Sequence, residues 1–448
     1  MRDSRPNVLW LMTDEQRTDS LGCYGSAWAR TPCMDRLARE GAVFDAAMTP
    51  APVCAAARAA MLTGQSPPET GVWCNDKGAA SRQLPHLVPR FADAGYRTAS
   101  FGKHHYAAAN QAFELEREIP YPEPVHAFGY ADRYDTGDYD VVQYPTQQRP
   151  WVLAGRFPEG AEQTTEWQAV DAALSWVDET PADRPFMLRL SFNLPHTPVS
   201  VPAPYDTLID EDAVTLAPEA ETMPDDAPAW MREALREFAG SHRLTAGEIR
   251  RMRACYYGAA AFVDAQFARL IDALRQRGLM EDTIIVFVSD HGAHLGDYGM
   301  VQKQTFYEPT VRVPFVFHAP GRVMAGSRVA RPVSAGSLLP TVMQLAGLDV
   351  PTTTTQPSLA RTLTHGDDPA DLPVFSAIKL APTSMPDDRL VMVRHDRWKL
   401  SVVCDPQVRD GSLHDLEADP HERVNRYDDP ACAAVADELR RAVEGYLR

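Results

Sequence analysis

Four short runs along the chain are apolar at nearly every position: "NVLWLMT" (7–13), "FMLRLSF" (186–192), "TIIVFVS" (283–289) and "VPFVFHA" (313–319). A strand with one wet face alternates apolar and polar residues. Near-unbroken apolarity instead suits strands covered on both faces, as in a mostly parallel sheet. Between these runs the period lengthens. "TTEWQAVDAALSWVDE" (164–179), "GEIRRMRACYYGAAAFVDAQFARLIDALRQRG" (247–278) and "SAGSLLPTVMQLAGL" (334–348) read as helices, and Gly347 suits the C-terminal end of the last. Strands alternating with helices predict an α/β fold: a large mixed, mostly parallel sheet sandwiched by helices.

Two segments break the pattern. Residues 116–160 and 200–245 are rich in Pro, Tyr, Asp and Glu with weak periodicity, and are expected as long excursions near the mouth of a ligand site. After about residue 365 the pattern changes again. "RLVMVRHDRWKLSVVCD" (389–405) reads as two short strands around a turn, "SLHDLEADPHE" as a strand running into a turn, and 430–447 as a closing helix. The chain is therefore expected to divide into a large unit over 1–365 and a small C-terminal α+β subdomain over 366–448.

Composition narrows the class. With 44% apolar and 23% charged residues in 448, the sequence is that of an ordinary globular protein. A formal net charge of −17 argues against nucleic acid or an anionic membrane as partner, though not against a small anion in a locally positive pocket. No apolar run approaches bilayer length. The first apolar run is followed at once by an acidic residue and no small-residue cleavage site, so 7–13 reads as a strand, with a reducing cytoplasm as the expected setting. Seven scattered cysteines without a CxxC pair indicate neither a disulfide scaffold nor a structural zinc site.

The candidate chemistry lies just beyond the predicted strands. Asp14 follows 7–13; Asp290 and His291 follow 283–289. Ligands in open α/β sheets bind outside the carboxyl ends of the strands, so two central parallel strands would bring these groups together as a divalent-cation site. In "PVCAAARAAMLTGQ" (52–65), Cys54 falls at a helix N-terminus with Arg58 one turn on, and both the helix dipole and the arginine favour an anion at position 54. Alone, such an alanine-rich helix is equally a device for close packing on a sheet. "SFGKHHY" supplies Lys103, His104 and His105 after a probable strand, "FNLPHTPVSVP" supplies His196, and "GMVQKQTFYE" supplies Lys303. Each alone reads as a solvated side chain. Their number, all after strand ends, is what marks a site.

Taken in order, "PNVLWLMTDEQRTDSLGCYG", "TPAPVCAAARAAMLTG", "TGVWCN", "GKHHY", "LPHTP", "SDHGAHLGDYGMVQKQTFYEPTVRVPFVFHAPG", "DRWKL" and "LHDLEADPHE" resemble the sulfatase family of the alkaline phosphatase superfamily, close to its phosphonate monoester hydrolase branch. The resemblance covers nearly the full chain. Its most specific part is the Cys-x-x-x-Arg-x-x-x-Leu-Thr-Gly string with Asp-His-Gly about two hundred residues later and a lysine beyond. It implies an alkaline phosphatase-like fold and hydrolysis of a small sulfate ester to inorganic sulfate and an alcohol. It also implies that a separate maturation enzyme oxidises Cys54 to formylglycine, whose hydrated aldehyde is the nucleophile.

By the same resemblance, Arg58 would hold and polarise that group. Asp14, Glu15, Asp290, His291 and the oxygen at position 54 would bind one divalent metal, Ca2+ first, with Mn2+ or Zn2+ admitted by the imidazole. Lys103, Lys303 and His196 would grip the anionic ester and stabilise the leaving oxygen. His105 would deprotonate the aldehyde hydrate, and Asn75 would lie near the substrate. Four positions depart from the family pattern: Ala56 stands where proline is usual, Ala57 where serine is common, Glu15 in place of a second aspartate, and His291 where many arylsulfatases have asparagine. Asp-His also occurs in relatives that cleave phosphonate monoesters and phosphodiesters, which is the alternative activity. A non-catalytic binding protein with unconverted Cys54 is the third reading. The alcohol half of the substrate has no motif, although Asp138, Asp140 and Asp212 would suit a cationic or polyhydroxy group, and the sequence leaves the oligomeric state open.

Overall fold

The computed structural model describes residues 5–75, 82–106, 109–119, 141–144, 151–215, 222–234, 240–380, 389–405 and 408–448. Its main sheet has eight strands: β1 (Asn7–Thr13), β2 (Ala42–Phe44), β3 (Arg97–Gly102), β4 (Leu115–Arg117), β5 (Phe186–Ser191), β6 (Thr283–Ser289), β7 (Phe315–His318) and β8 (Ser327–Val329). Their spatial order is β8-β2-β7-β6-β1-β5-β3-β4. Strand β7 pairs antiparallel with both its neighbours and every other pairing in the sheet is parallel, so the sheet is mixed and mostly parallel as the apolar runs predict.

Three of the four apolar runs are neighbours at the centre, in the order β6-β1-β5, and the fourth, β7, lies beside β6. Successive side chains of β1 enter opposite cores. Leu9 and Leu11 join the core under two helices, α2 (Thr165–Asp178) and α3 (Ala246–Gln276), whereas Val8, Trp10 and Met12 join the core under α1 (Cys54–Thr63) and α4 (Leu338–Leu345). Double coverage explains why these strands have no polar alternation. Helix α3 starts at a capping box, in which Thr245 Oγ1 accepts from Glu248 N at 3.2 Å and the Glu248 carboxylate accepts from Thr245 N at 2.7 Å. Gly258, midway along it, lies so near the next segment that an added Cβ would sit 2.1 Å from Tyr205 O.

The described parts of 116–160 and 200–245 are more regular than their composition suggests. Val141–Tyr144, Trp151–Arg156 and Val199–Val201 form a three-stranded sheet, and Val142, Leu153, Val199 and Val201 are buried in the same core as α3. Asp138 and Asp140 lie outside the described residues, and Asp212 is exposed in a one-turn helix.

Beyond the main sheet, β9 (Val374–Lys379), β10 (Arg389–His395), β11 (Trp398–Val403) and β12 (Gly411–Asp415) make an antiparallel sheet in chain order. Helix α5 (Ala433–Tyr446) covers it, burying Ala436, Leu439 and Val443 against Leu400 and Leu413. None of the seven cysteines is in a disulfide, and among the described residues no helix is long and apolar enough to cross a membrane.

Candidate active site at the carboxyl ends of the central strands

Strand order builds the site. In the register Thr13↔Ser289 the adjacent parallel strands β1 and β6 end side by side, so Asp14 and Asp290, each the next residue, emerge together. On the other flank β5 and β3 end at Ser191↔Gly102, which delivers Lys103 to the same edge. Gly102 is needed there: its φ is +92°, and a Cβ would lie 2.0 Å from Ser191 O. The Lys103 N–H donates to that same carbonyl at 2.8 Å.

Helix α1 comes from above with every residue buried, and Cys54 is its first residue. The Cys54 Sγ lies 3.3 Å from His291 Nε2, 3.4 Å from Lys303 Nζ and 3.7 Å from Asp14 Oδ1. The His105 side chain also helps to favour the anionic form of the thiol. Of two adjacent histidines it is the second that faces Cys54, in a turn where His105 has φ +40°; His104 Nε2 lies 3.4 Å from Ser100 O instead.

Arg58 does not spend its guanidinium on position 54. Its Nε donates to Asp290 Oδ2 at 2.8 Å, Nη2 to Asp14 Oδ2 at 2.9 Å, and Nη1 to Ser191 Oγ at 2.9 Å and Lys103 O at 3.1 Å. The long side chain reaches past the thiol to the strand ends, so its direct action is to orient the two carboxylates. Asn75 likewise acts on the protein itself. Its Oδ1 accepts from Ala55 N at 2.9 Å, satisfying one of the N–H groups left open at the start of α1.

Asp14, Cys54, Asp290 and His291 form a buried quartet whose ligand atoms all lie within 4.8 Å of one another. The donor set fits a divalent cation. A carbonyl can only accept, so His291 Nδ1 donates to Gly292 O at 2.9 Å and leaves Nε2 facing the quartet. Burial opposes the imidazolium, yet Asp290 and Cys54 outweigh it and push His291 up to about 9. The quartet therefore draws positive charge to Nε2, whether a proton or a metal ion.

Glu15 stands apart from the quartet. It groups instead with Asp14 and His196, and its Oε1 accepts from Lys303 Nζ at 2.5 Å. Lys303 also reaches His196 Nε2 at 2.9 Å, so its three N–H bonds serve Glu15, His196 and Cys54. Glu15 has φ +62°, and its carbonyl accepts from the Tyr256 hydroxyl at 2.5 Å. On the far side, Lys103 Nζ lies 2.5 Å from Asp14 Oδ2.

The summed field favours an anion at position 54. Burial pushes the Cys54 thiol up, but Lys303, Lys103 and His291 overcome it and hold the thiol well below its ordinary value. Burial also opposes the Asp14 carboxylate, and with Lys103, His196 and Arg58 against it Asp14 still falls far below the usual carboxylate range. Asp290 goes the other way, raised by burial and by the Asp14 charge. The geometry thus gathers Asp14, Cys54, Arg58, Lys103, His105, His196, Asp290, His291 and Lys303 around one point. Two further contributors, Ser191 and Arg189, are not among the residues the sequence motifs single out. A signal for them exists: two polar residues at alternate positions in an otherwise apolar strand share one face.

Sheet and site together define the alkaline phosphatase-like class of α/β proteins. Within that class the chain belongs to the sulfatase family, whose model matches residues 6–348; a second model, N-sulphoglucosamine sulphohydrolase, C-terminal, matches 296–447. The choline-sulfatase of Rhizobium meliloti is 29% identical over 453 residues, covering 96% of this chain and 84% of that one. The arylsulfatase of Clostridium perfringens is 28% identical over 380 residues, covering 78% and 76%. The crystal structure of the phosphonate monoester hydrolase of Agrobacterium radiobacter shares the fold with a TM-score of 0.82 at 24% identity, covering 99% of this chain and 95% of that one. Hydrolysis of sulfate esters is the activity that the family indicates.

Proposed function

We propose that this chain hydrolyses a sulfuric monoester to inorganic sulfate and an alcohol, with Cys54 converted to formylglycine by a separate maturation enzyme and with one divalent metal ion. The observation that carries the reading is the placement of Cys54, first in its helix, between the metal-competent groups Asp14, Asp290 and His291 on one side and Lys303 on the other. Asp14, Asp290, His291 and the oxygen at position 54 would hold the ion, with Glu15 at its flank; Ca2+ is the first candidate, and the imidazole admits Mn2+ or Zn2+. When present, the ion supplies Lewis acidity and the hydrated aldehyde supplies the attacking oxygen.

The residues of the chain do the rest. Arg58 fixes the two carboxylates. Lys103, Lys303 and His196 neutralise the charged ester oxygens, a preorganised field that strengthens as charge moves to the leaving oxygen. His105 takes a proton from the group at position 54, and the Lys303–His196 pair returns one to the leaving oxygen. Asn75 keeps the start of α1 in place beside the substrate.

One observation favours a second reading, cleavage of a phosphonate monoester or phosphodiester: an imidazole, His291, completes the quartet. The deciding experiment expresses the chain with a maturation enzyme, measures the mass of the Cys54 peptide, and compares kcat/KM on paired aryl sulfate and aryl phosphonate esters. The expected result is a converted peptide and a preference for sulfate. A preference for phosphonate by orders of magnitude overturns the first reading in favour of the second. A retained thiol with no copurifying metal overturns both in favour of a binding protein.

A further inference from the structure

A second arginine lies beneath the site without an ion pair to any carboxylate among the described residues. Arg189, on β5, is fully buried, and its register partners are Trp10 of β1 and Ser100 of β3. Its guanidinium lies over the Trp10 and Tyr106 rings at 5.1 and 5.9 Å from their centroids. Nη1 donates to Ser100 Oγ at 3.0 Å; Nη2 points to Ser191 Oγ at 3.2 Å, Lys103 O at 3.3 Å and Met12 Sδ at 3.4 Å; Nε has no partner. Two of those acceptors, Ser191 Oγ and Lys103 O, are also the acceptors of Arg58 Nη1. Among the described residues no carboxylate forms an ion pair with Arg189, and the neighbouring guanidinium is of like charge.

A buried, unpaired cation costs folding free energy, and neutral acceptors and ring faces recover only part of it. Burial and Arg58 together pull the Arg189 pKa down to about 9, which still leaves it charged at neutral pH. Glu116 and Asp290 act on that charge only at a distance, and an apolar side chain of similar volume between Trp10 and Tyr106 would avoid the desolvation cost. What the position does offer is access to the backbone of Lys103, from below, at the point where Lys103 enters the anion pocket.

We propose that Arg189 is a positioning residue of the anion site: its charge, held by no ion pair, and its bond to the Lys103 carbonyl hold the Lys103–Arg58 floor in place and make the pocket more attractive to a tetrahedral anion. The inference rests on the hydrolase reading only in taking this pocket as the place where the anion binds.

The test is calorimetric binding of inorganic sulfate to the mature protein and its variants, with melting midpoints recorded alongside. Arg189→Met is expected to weaken sulfate binding about tenfold while melting at or above the parent temperature. Arg189→Lys, which keeps the charge but not the fork, is expected to recover binding to within about threefold of the parent. Unchanged sulfate affinity in Arg189→Met overturns the proposal. So does a lower midpoint in that variant together with no recovery in Arg189→Lys, because that is the signature of a purely structural arginine. Should Arg189→Met aggregate, Arg189→Gln, neutral but still able to reach Ser100, is judged by the same two outcomes. A parent that binds sulfate but turns over no ester removes the hydrolase reading and leaves this one standing; a parent that binds no sulfate removes this one.

Discussion

Two of the buried charge clusters among the described residues are built to different ends. One is the site around Cys54. The other lies where the C-terminal sheet meets the main body: Lys399 of β11 pairs with Glu308 at 2.9 Å and Glu422 at 2.6 Å, and Arg394 pairs with Glu308 at 3.3 Å. Lys399 and Glu422 are each 1% exposed, as buried as Asp14, Cys54 and Arg58. There the charges close on one another, and Glu422 also accepts from the Glu308 N–H at 2.8 Å. At Cys54 ion pairs are made too, Arg58 with Asp14 and Asp290, Lys103 with Asp14 and Lys303 with Glu15, but they leave a surplus. Lys303 keeps a bond for the thiol, and Lys303, Lys103 and His291 still favour an anion at position 54. A network whose charges are spent on one another holds two parts of a fold in register, whereas one with a surplus aimed at a single atom is held ready for a ligand.

This contrast can be broken at three points. The largest effect belongs to Cys54→Ala: turnover should fall more than about a hundredfold with the circular dichroism spectrum and melting midpoint preserved. Residual activity above that level would remove position 54 as nucleophile and with it the contrast. Next is Lys399→Met, which strands Glu422 without its cation, leaves Glu308 to Arg394 alone, and should cost about 3–5 kcal/mol in denaturant titration. Turnover per folded molecule should survive; its loss at full stability would make the second cluster part of the site.

The smallest effect is a pH dependence. Burial drives Glu422 from 4.5 up to about 7, against the pull of Lys399 and with Glu308 adding to it. An acid raised on folding stabilises the fold as its protonated form, so the contribution is complete below about 4.5 and is lost as pH rises through about 7. Glu308 is held at about 2, so its own window, with the opposite sign, lies below 4.5 and does not overlap. Glu422→Gln, which mimics the protonated acid, should match the parent melting temperature near pH 5 and exceed it increasingly toward pH 8. A difference constant across that range would show that Glu422 does not titrate there.

Local pattern and parallel topology were enough to make the sheet, the long helix, the start of α1 at Cys54 and the convergence of Asp14 with Asp290 and His291 legible in the sequence. Double burial leaves its mark in unbroken apolar runs, and strands that run the same way must end at the same edge. The closing antiparallel sheet and its helix were legible for the same reason. What tertiary structure alone decided is which groups meet once they reach that edge. Glu15 pairs with Lys303, 288 positions away, while its sequence neighbour Asp14 joins the metal-competent quartet. His105 rather than His104 turns to the thiol, Arg58 reaches the carboxylates instead of position 54, Asn75 caps a helix, and Arg189 sits unpaired beneath Lys103. These outcomes depend on side-chain reach and on backbone turns between distant segments, and no local periodicity encodes either.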